Sequence, residues 1–467
     1  MLFNSFPFAL FFAITYAVFV LSPVRRRERV LLAASLVFYG LWVPTYFVLL
    51  LVMLGASYVL VRRMVTSPRP KAWLTANIVF SLSVLAAFKY SAFAVQLASP
   101  LLRGVLHLPV HAPYWVLPLG ISFYTFEIVS LAVDIHREKL ALPSFSRYLL
   151  FVTFFPHLIA GPIMRGAELL PQLDAGGERT HARTRRGLWL FAVGLVKKTI
   201  FSDFLLMPYV AEIFQAPGGP SGPAHLLAAY SFAFQIYFDF SGYSDMARGL
   251  ACVLGFELPM NFEEPYLSRD PSEFWTRWHV TLSRWLRDYL YVPLGGNRHG
   301  LARTLTALML TMLLGGLWHG AGIDFILWGG LHGTLLIAYR LLARRRVDRD
   351  APLTWRDAPR VFLLFNLVSL AWVPFRAASV EDAVAFYRGV LRGGYLGAWP
   401  ILPAAIVALS VASHAAERWL RNRLPAIHER IGAAAWGPAF EGGLLGAVLT
   451  ASLLASGAGV EFIYFQF

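Results

Sequence analysis

Long uncharged apolar runs, broken by short polar or basic stretches, make up most of this chain. Residues 31–61 and 73–85 carry no charged side chain, and their apolar positions follow one another instead of alternating as on a half-buried strand. Runs of this kind are stable in lipid, where backbone polar groups must be satisfied inside helices or a closed barrel. Continuous runs select helices. The pattern predicts spans at 6–21, 30–42, 46–61, 73–97, 115–135 and 148–163. Further spans are expected at 187–196 with a continuation to 210, at 226–254, 304–317 and 325–342, and at 361–373, 383–399, 401–412 and 442–454. The expected fold is an all-α polytopic membrane protein, one membrane unit over residues 1–467.

Two of these runs are short against the roughly 20 residues that cross a hydrocarbon core. Residues 187–196, between Arg186 and the pair Lys197-Lys198, reach only about 15 Å at ~1.5 Å per residue. Residues 304–317 stop before Trp318-His319-Gly320. Short helices survive in a membrane when they pack within protein or line a cavity, so the pattern predicts a bundle around a hollow. The stretch 257–300 differs, being rich in charge and tryptophan. Read as one helix, it places Phe274, Trp275, Trp278, Leu282, Trp285, Leu286 and Tyr289 on one face, away from Glu273, Arg277, Arg284 and Arg287. That is the pattern of a helix lying in the plane of the interface, here expected on the cytoplasmic side.

Composition agrees with the membrane reading. Hydrophobic residues make up 57% of the chain and charged ones 15%, against about 25% charged in soluble domains. The net charge of +14 is dispersed in clusters between apolar runs, such as Arg25-Arg26-Arg27, Arg62-Arg63, Arg344-Arg345-Arg346 and Arg418 with Arg421 and Arg423. This is the positive-inside pattern, and with no separate basic domain it excludes nucleic acid as a partner. The arginines follow the first apolar run, which is the reverse of a signal peptide. A retained helix is expected, its N-terminus outside and residues 25–29 in the cytoplasm. The single cysteine, Cys252, leaves no internal disulfide or paired-cysteine metal site and reads as a small core residue.

Of the 12 histidines, His107, His111, His136, His181, His225, His299, His414 and His428 fall in loops or at span ends. His157, His279, His319 and His332 do not. His319 ends a mostly apolar run before Gly320-Ala321-Gly322, about 24 Å beyond Arg303 at ~1.5 Å per residue. An ionisable side chain at such depth is a functional candidate; the alternative is a neutral histidine bonded to a carbonyl where the helix breaks. His279 lies beside the apolar stripe of the 273–291 segment, and it is either functional or simply packed there. His332, in Trp328-Gly-Gly-Leu-His-Gly, faces the same hollow or sits at a helix contact for which the glycines make room. Asp239 and Asp245 lie in an apolar stretch and must be paired or hydrogen-bonded; pairing with an arginine such as Arg248 is the plainer reading, catalysis the other. Neither HExxH nor GxSxG is present, so metal and serine hydrolase chemistry are unsupported.

Several motifs occur together in order. They are Phe154-Phe-Pro-His-Leu-Ile-Ala-Gly-Pro-Ile-Met-Arg165, Tyr237-Phe-Asp-Phe-Ser-Gly-Tyr-Ser-Asp-Met246, Asn261-Phe262 with Pro265-Tyr266, and Glu273-Phe-Trp-Thr-Arg-Trp-His279. Next come Leu282-Ser-Arg-Trp-Leu-Arg-Asp-Tyr-Leu-Tyr291, Gly295-Gly-Asn-Arg298, Leu313-Leu-Gly-Gly-Leu-Trp-His-Gly320 and the terminal Phe462-Ile-Tyr-Phe-Gln-Phe467. In this order they make the chain resemble the membrane-bound O-acyltransferases, in particular the bacterial alginate O-acetyltransferase branch, from near its start to its end.

The resemblance implies a ring of tilted transmembrane helices around a central tunnel, with interfacial and re-entrant helices. It makes His319 the catalytic histidine and His279 a second functional residue. Trp318, Trp278, Asn261, Asp288 and His332 become candidates for substrate binding, with no metal. The activity it implies is transfer of an acetyl group from cytoplasmic acetyl-CoA, the donor and not a bound cofactor, across a Gram-negative inner membrane onto a polysaccharide such as alginate. A periplasmic acetyltransferase partner is expected to complete the delivery. A related branch moves D-alanine from a carrier protein toward teichoic acid, and a transporter without chemistry is a rival from another class. Consumption of acetyl-CoA by the purified protein separates an enzyme from the transporter, and gene neighbourhood separates the acetyl from the D-alanyl branch.

Overall fold

The structure, a computed structural model, describes residues 2–42, 44–104, 113, 116–219, 221–343, 351–433 and 437–455. The arginines at 344–346, His107, His111 and the terminal motif 462–467 lie outside the described residues. Helices α1 (Phe6–Leu21), α2 (Val24–Gly40), α3 (Pro44–Thr66), α4 (Pro70–Lys89), α5 (Ser91–Gly104), α6 (Ile121–His136), α7 (Phe145–Thr153), α8 (Gly166–Asp174), α9 (His181–Val196) and α10 (Met207–Gln215) come first. They are followed by α11 (Gly222–Leu254), α12 (Pro271–Arg277), α13 (Val280–Leu286), α14 (Gly300–His319), α15 (Ile323–Leu342), α16 (Ala358–Ala371), α17 (Val373–Arg376), α18 (Val380–Leu391), α19 (Ile401–Ala433) and α20 (Gly437–Ala455). No strand occurs among the described residues. The chain folds into two compact units, Met1–Phe191 with Ala247–Pro259 and Ala192–Met246 with Met260–Phe467.

In the first unit α1, α2 and the segment after α7 meet through Phe8, Phe11, Phe38 and Phe155, with ring centroids 5.4–6.0 Å apart. The outward side of α1 carries Phe6, Leu10, Ile14, Val18 and Leu21, all exposed and spaced three or four residues apart. Water would not tolerate so long an apolar stripe, whereas lipid covers it without cost. Among the described residues, five stretches are long and apolar enough to cross a membrane: Pro44–Thr66, Pro70–Lys89, Gly300–His319, Ile323–Leu342 and Trp355–Arg376. The protein is a multi-pass membrane protein.

Several expected elements differ: among them, the run 73–97 divides at Tyr90 into α4 and α5, and the run 383–399 ends with α18 at Leu391. The span at 148–163 stops at Thr153, because Pro156 and Pro162 lack the N–H that would continue a helix; the buried turns after Phe154 bond locally, His157 N–H to Phe154 O at 3.1 Å and Gly161 N–H to His157 O at 3.0 Å. The run 304–317 is the middle of a 20-residue helix, α14, so it is not too short to span. Lys197-Lys198 do not end a helix either. The chain continues from α9 through a ten-residue π-helical stretch, Lys197–Leu206, into α10, and both lysines are buried.

The expected single interfacial helix over 273–291 is likewise replaced by two seven-residue helices, α12 and α13, followed by a π-helical turn, Arg287–Tyr291. Asp270 caps α12, its Oδ1 accepting the N–H groups of Ser272 (2.8 Å) and Glu273 (2.9 Å). The break falls at His279, whose φ of 40° is left-handed. Backbone groups that one helix would pair internally go instead to the neighbouring segment. Glu263 N–H donates to Arg277 O and Val280 N–H to Asn261 O, both at 2.9 Å. Phe274 and Trp278 are consequently buried within the second unit, so the tryptophan face is not spread on a membrane surface.

Candidate active site

The site lies in the second unit, where α14 and α15 cross backbone to backbone. A Cβ at Gly316 would stand 2.2 Å from Phe325 O, and one at Gly329 would stand 2.3 Å from Met312 O. Only glycines allow that approach. α14 ends at His319, as the sequence leads one to expect, because Gly320 and Gly322 are both extended. The crossing brings His319 against Trp328 (centroids 5.0 Å) and Trp328 against His332 (4.9 Å). Phe375 of α17 closes on His319 at 5.3 Å, and Trp372 stacks on Trp328 at 5.3 Å.

His279 joins the same group through Trp318, at 6.2 Å from its ring, while Trp318 touches His319 at 5.0 Å. Phe240 of α11 packs edge-on to His279 at 4.6 Å. Trp278 reaches Trp372 at 4.9 Å. The fold thus gathers His279, His319, His332, Trp278 and Trp318 from three separate stretches of chain into one aromatic cluster.

His279 is fully buried, and neither ring nitrogen has a hydrogen-bond partner. Burial holds the imidazole neutral and pushes its pKa down to about 3. The Nε2 of His332 and the indole N–H groups of Trp275, Trp328 and Trp372 are also buried without partners. Most buried polar atoms are satisfied, and each exception needs a physical explanation, of which a ligand-binding or catalytic role is one. Such a cluster, with imidazoles able to exchange a proton and N–H groups able to donate to an oxygen, is equipped for acyl chemistry.

Asn261 has a different part. Its Nδ2 donates to Ser244 Oγ (3.1 Å), and its Oδ1 accepts from Thr281 (2.7 Å). With its carbonyl taking the Val280 N–H, its polar groups hold the His279 turn. Asp288, on the π-helical turn, pairs with Arg287 at 2.7 Å.

His157, the remaining candidate, has both nitrogens engaged in the first unit, Nδ1 with Glu127 (3.0 Å) and Nε2 with Phe151 O (3.0 Å). His414 is not at a span end. It is buried inside α19 with its ring 4.6 Å from Tyr237. Asp239 and Asp245 are paired, but with lysines: Lys198–Asp239 at 2.5 Å and Lys197–Asp245 at 2.8 Å. Arg248 instead donates to Leu258 O (3.4 Å). Cys252 is buried and free. Sequence reasoning missed Trp372, at the end of what reads as a plain apolar span over 361–373, and Phe375 just beyond it; the one signal was Pro374 between the two aromatic positions.

Comparison with known proteins identifies the family. The model of the membrane-bound O-acyltransferase family matches residues 75–362, a stretch containing all three clustered histidines. The chain is 39% identical over 417 residues to the probable alginate O-acetylase of Azotobacter vinelandii, covering 88% of this chain and 81% of that protein. It is 35% identical over 396 residues to the peptidoglycan O-acetyltransferase of Helicobacter pylori, covering 77% and 73% respectively. A teichoic acid D-alanyltransferase of Streptococcus thermophilus is 30% identical over 281 residues, 55% of this chain and 68% of that protein. The motifs of the sequence, the helical membrane fold and these matches agree: the chain belongs to the membrane-bound O-acyltransferase family and is an O-acyltransferase.

Proposed function

We propose that this protein takes an acetyl group from acetyl-CoA at the cytoplasmic face of the inner membrane and passes it across for O-acetylation of an extracellular polysaccharide such as alginate. The observation that carries the chemistry is the buried, partnerless imidazole of His279 beside the His319 cluster. The named relatives support the acetyl group and the polymer class: two are O-acetyl enzymes, and their matches cover more of the chain than the D-alanyl one.

In this reading His319 is the general base. A hydroxyl acceptor is a weak nucleophile until its proton is removed, and a neutral imidazole is the side chain suited to remove it. His319 takes the hydroxyl proton as the oxygen attacks the thioester carbon. The carbon–sulfur bond then breaks, and the proton passes to the departing thiolate, giving the O-acetyl ester and the free thiol. His279, neutral because it is buried, donates an N–H to the carbonyl oxygen as negative charge grows there. Trp278, Trp318 and His332 frame the acyl group, and Asp288, held by Arg287 on the π-helical turn, is a substrate-binding residue. A periplasmic acetyltransferase partner completes transfer to the polymer.

The test is consumption of acetyl-CoA by the purified protein in detergent, with a periplasmic or soluble hydroxyl acceptor supplied. Wild type should release free thiol, and His319→Ala, eluting as the same monodisperse species, should fall by ~10²–10⁴-fold, the usual worth of a general base. Near wild-type turnover by that variant would remove His319 from the mechanism. Turnover with a D-alanyl carrier protein and none with acetyl-CoA would move the protein to the other branch.

A further inference from the structure

Away from the aromatic cluster, the first unit holds a cavity of about 630 Å³ between α2, α7 and α8. Its polar lining is unevenly balanced. Arg147 is engaged by two carboxylates, Glu28 at 2.7 Å and Asp174, and so serves to tie α7 to α2 and α8. Arg25 and Arg29, one turn apart on α2, line the same cavity and make no ion pair among the described residues. Both are exposed. The remaining wall is mostly apolar, formed by Val24, Leu32, Leu150, Leu173 and Gly176, with Ser146 as one further polar side chain.

The cavity also has a defined place along the chain. The exposed apolar face of α1 runs as far as Leu21, and Arg25 begins the cationic stretch four residues later. An abrupt change from lipid-facing to cationic surface marks headgroup depth, and the basic cluster there falls on the cytoplasmic side by the positive-inside pattern. A cleft lined by two guanidinium groups outside any ion pair among the described residues, together with aliphatic side chains, matches a phosphate group attached to an apolar body. Basic pockets between helices at this depth recognise anionic lipid headgroups, and arginine's planar fork suits phosphate oxygens.

The geometry points to a phosphate-binding cleft at Arg25 and Arg29 that seats the headgroup of an anionic phospholipid. This site is independent of the acyl-transfer reading. The same phosphate chemistry could come from a soluble source, and the test separates the two. The full chain, stripped of lipid in detergent, is titrated with phosphatidylglycerol or phosphatidylcholine, and separately with inorganic phosphate or CoA. Retention is read by native mass spectrometry and thermal shift. Phosphatidylglycerol should bind in preference to phosphatidylcholine. Arg25→Gln/Arg29→Gln should lose that preference by on the order of 25-fold, from roughly fivefold per arginine near an anionic headgroup. Arg62→Gln/Arg63→Gln, a basic pair outside the cleft, should keep it, which separates the site from general surface charge. Stabilisation by inorganic phosphate or CoA that is lost in the Arg25/Arg29 variant would keep the cleft and reassign its ligand to a soluble phosphate. Equal binding by wild type and the Arg25/Arg29 variant, or an equal loss in the Arg62/Arg63 control, would overturn the proposal.

Discussion

Thr281 donates its hydroxyl to Asn261 Oδ1 at 2.7 Å, and this bond crosses the turn on which His279 stands. His279 holds a left-handed φ of 40°, which a non-glycine residue adopts only when its surroundings impose it. Removing the hydroxyl leaves a buried acceptor unsatisfied, at about 1–3 kcal/mol. Thr281→Val should therefore lower kcat by roughly tenfold or more with KM little changed, whereas Thr281→Ser should restore the rate. Equal kcat for the two variants would mean that the bond does not position His279.

His279→Asn separates chemistry from folding. Asparagine tolerates the left-handed backbone better than most residues, so the fold should survive while transfer falls by at least ~10². A pH effect accompanies it. The buried imidazole has a pKa near 3, against an ordinary value of about 6.5 in the unfolded chain. The unfolded state thus binds the proton first as pH falls, and the contribution of neutral His279 is complete above ~6.5 and declines toward 3. Between pH 7 and pH 5 the melting temperature of wild type in detergent should drop further than that of His279→Asn. Parallel curves would count against the buried, neutral histidine.

The α14–α15 crossing offers a steric test on adjacent residues. A methyl at Gly329 would meet the backbone oxygen of Met312 at 2.3 Å, while one at Gly330 would reach only a Leu313 side-chain carbon at 3.6 Å. Backbone cannot yield without parting the helices, so Gly329→Ala should cost about 1–3 kcal/mol or more and displace His319 from Trp328. Gly330→Ala should be close to neutral in both stability and turnover. Thermal unfolding and initial rates of the two variants side by side provide the check.

Lys198 lies between Asp203 (3.0 Å) and Asp239 (2.5 Å), all three buried in the second unit. One ammonium between two carboxylates makes the losses unequal. Lys198→Met leaves two buried acids facing each other, and breaking a buried pair costs about 3–5 kcal/mol. Asp203→Asn keeps the contact of Lys198 with Asp239 and removes one excess negative charge. It should be far milder, and a denaturation midpoint lowered equally by both would exclude this asymmetry.

The sequence by itself determined the solvent and the class of fold. Uncharged runs such as 31–61 have no stable state outside lipid, and that requirement acts on the local chain without reference to any partner. The end of α14 was equally local, since two glycines in three residues, Gly320 and Gly322, weaken a helix at that point. The ordered motifs pointed to His279 and His319 for the same reason, each being written in a few consecutive residues. What only the tertiary structure decided depended on segments far apart in the chain. The periodicity of 273–291 favours one helix, yet the chain turns at His279 because Asn261 and Glu263 offer better partners for its backbone. Lys197 and Lys198 look like a helix terminus until Asp239, Asp245 and Glu417 neutralise them inside the fold. Trp372 and Phe375 enter the cluster only through packing against Trp328 and His319. Local propensity sees none of these contacts, because their free energy exists only once distant residues have been brought together.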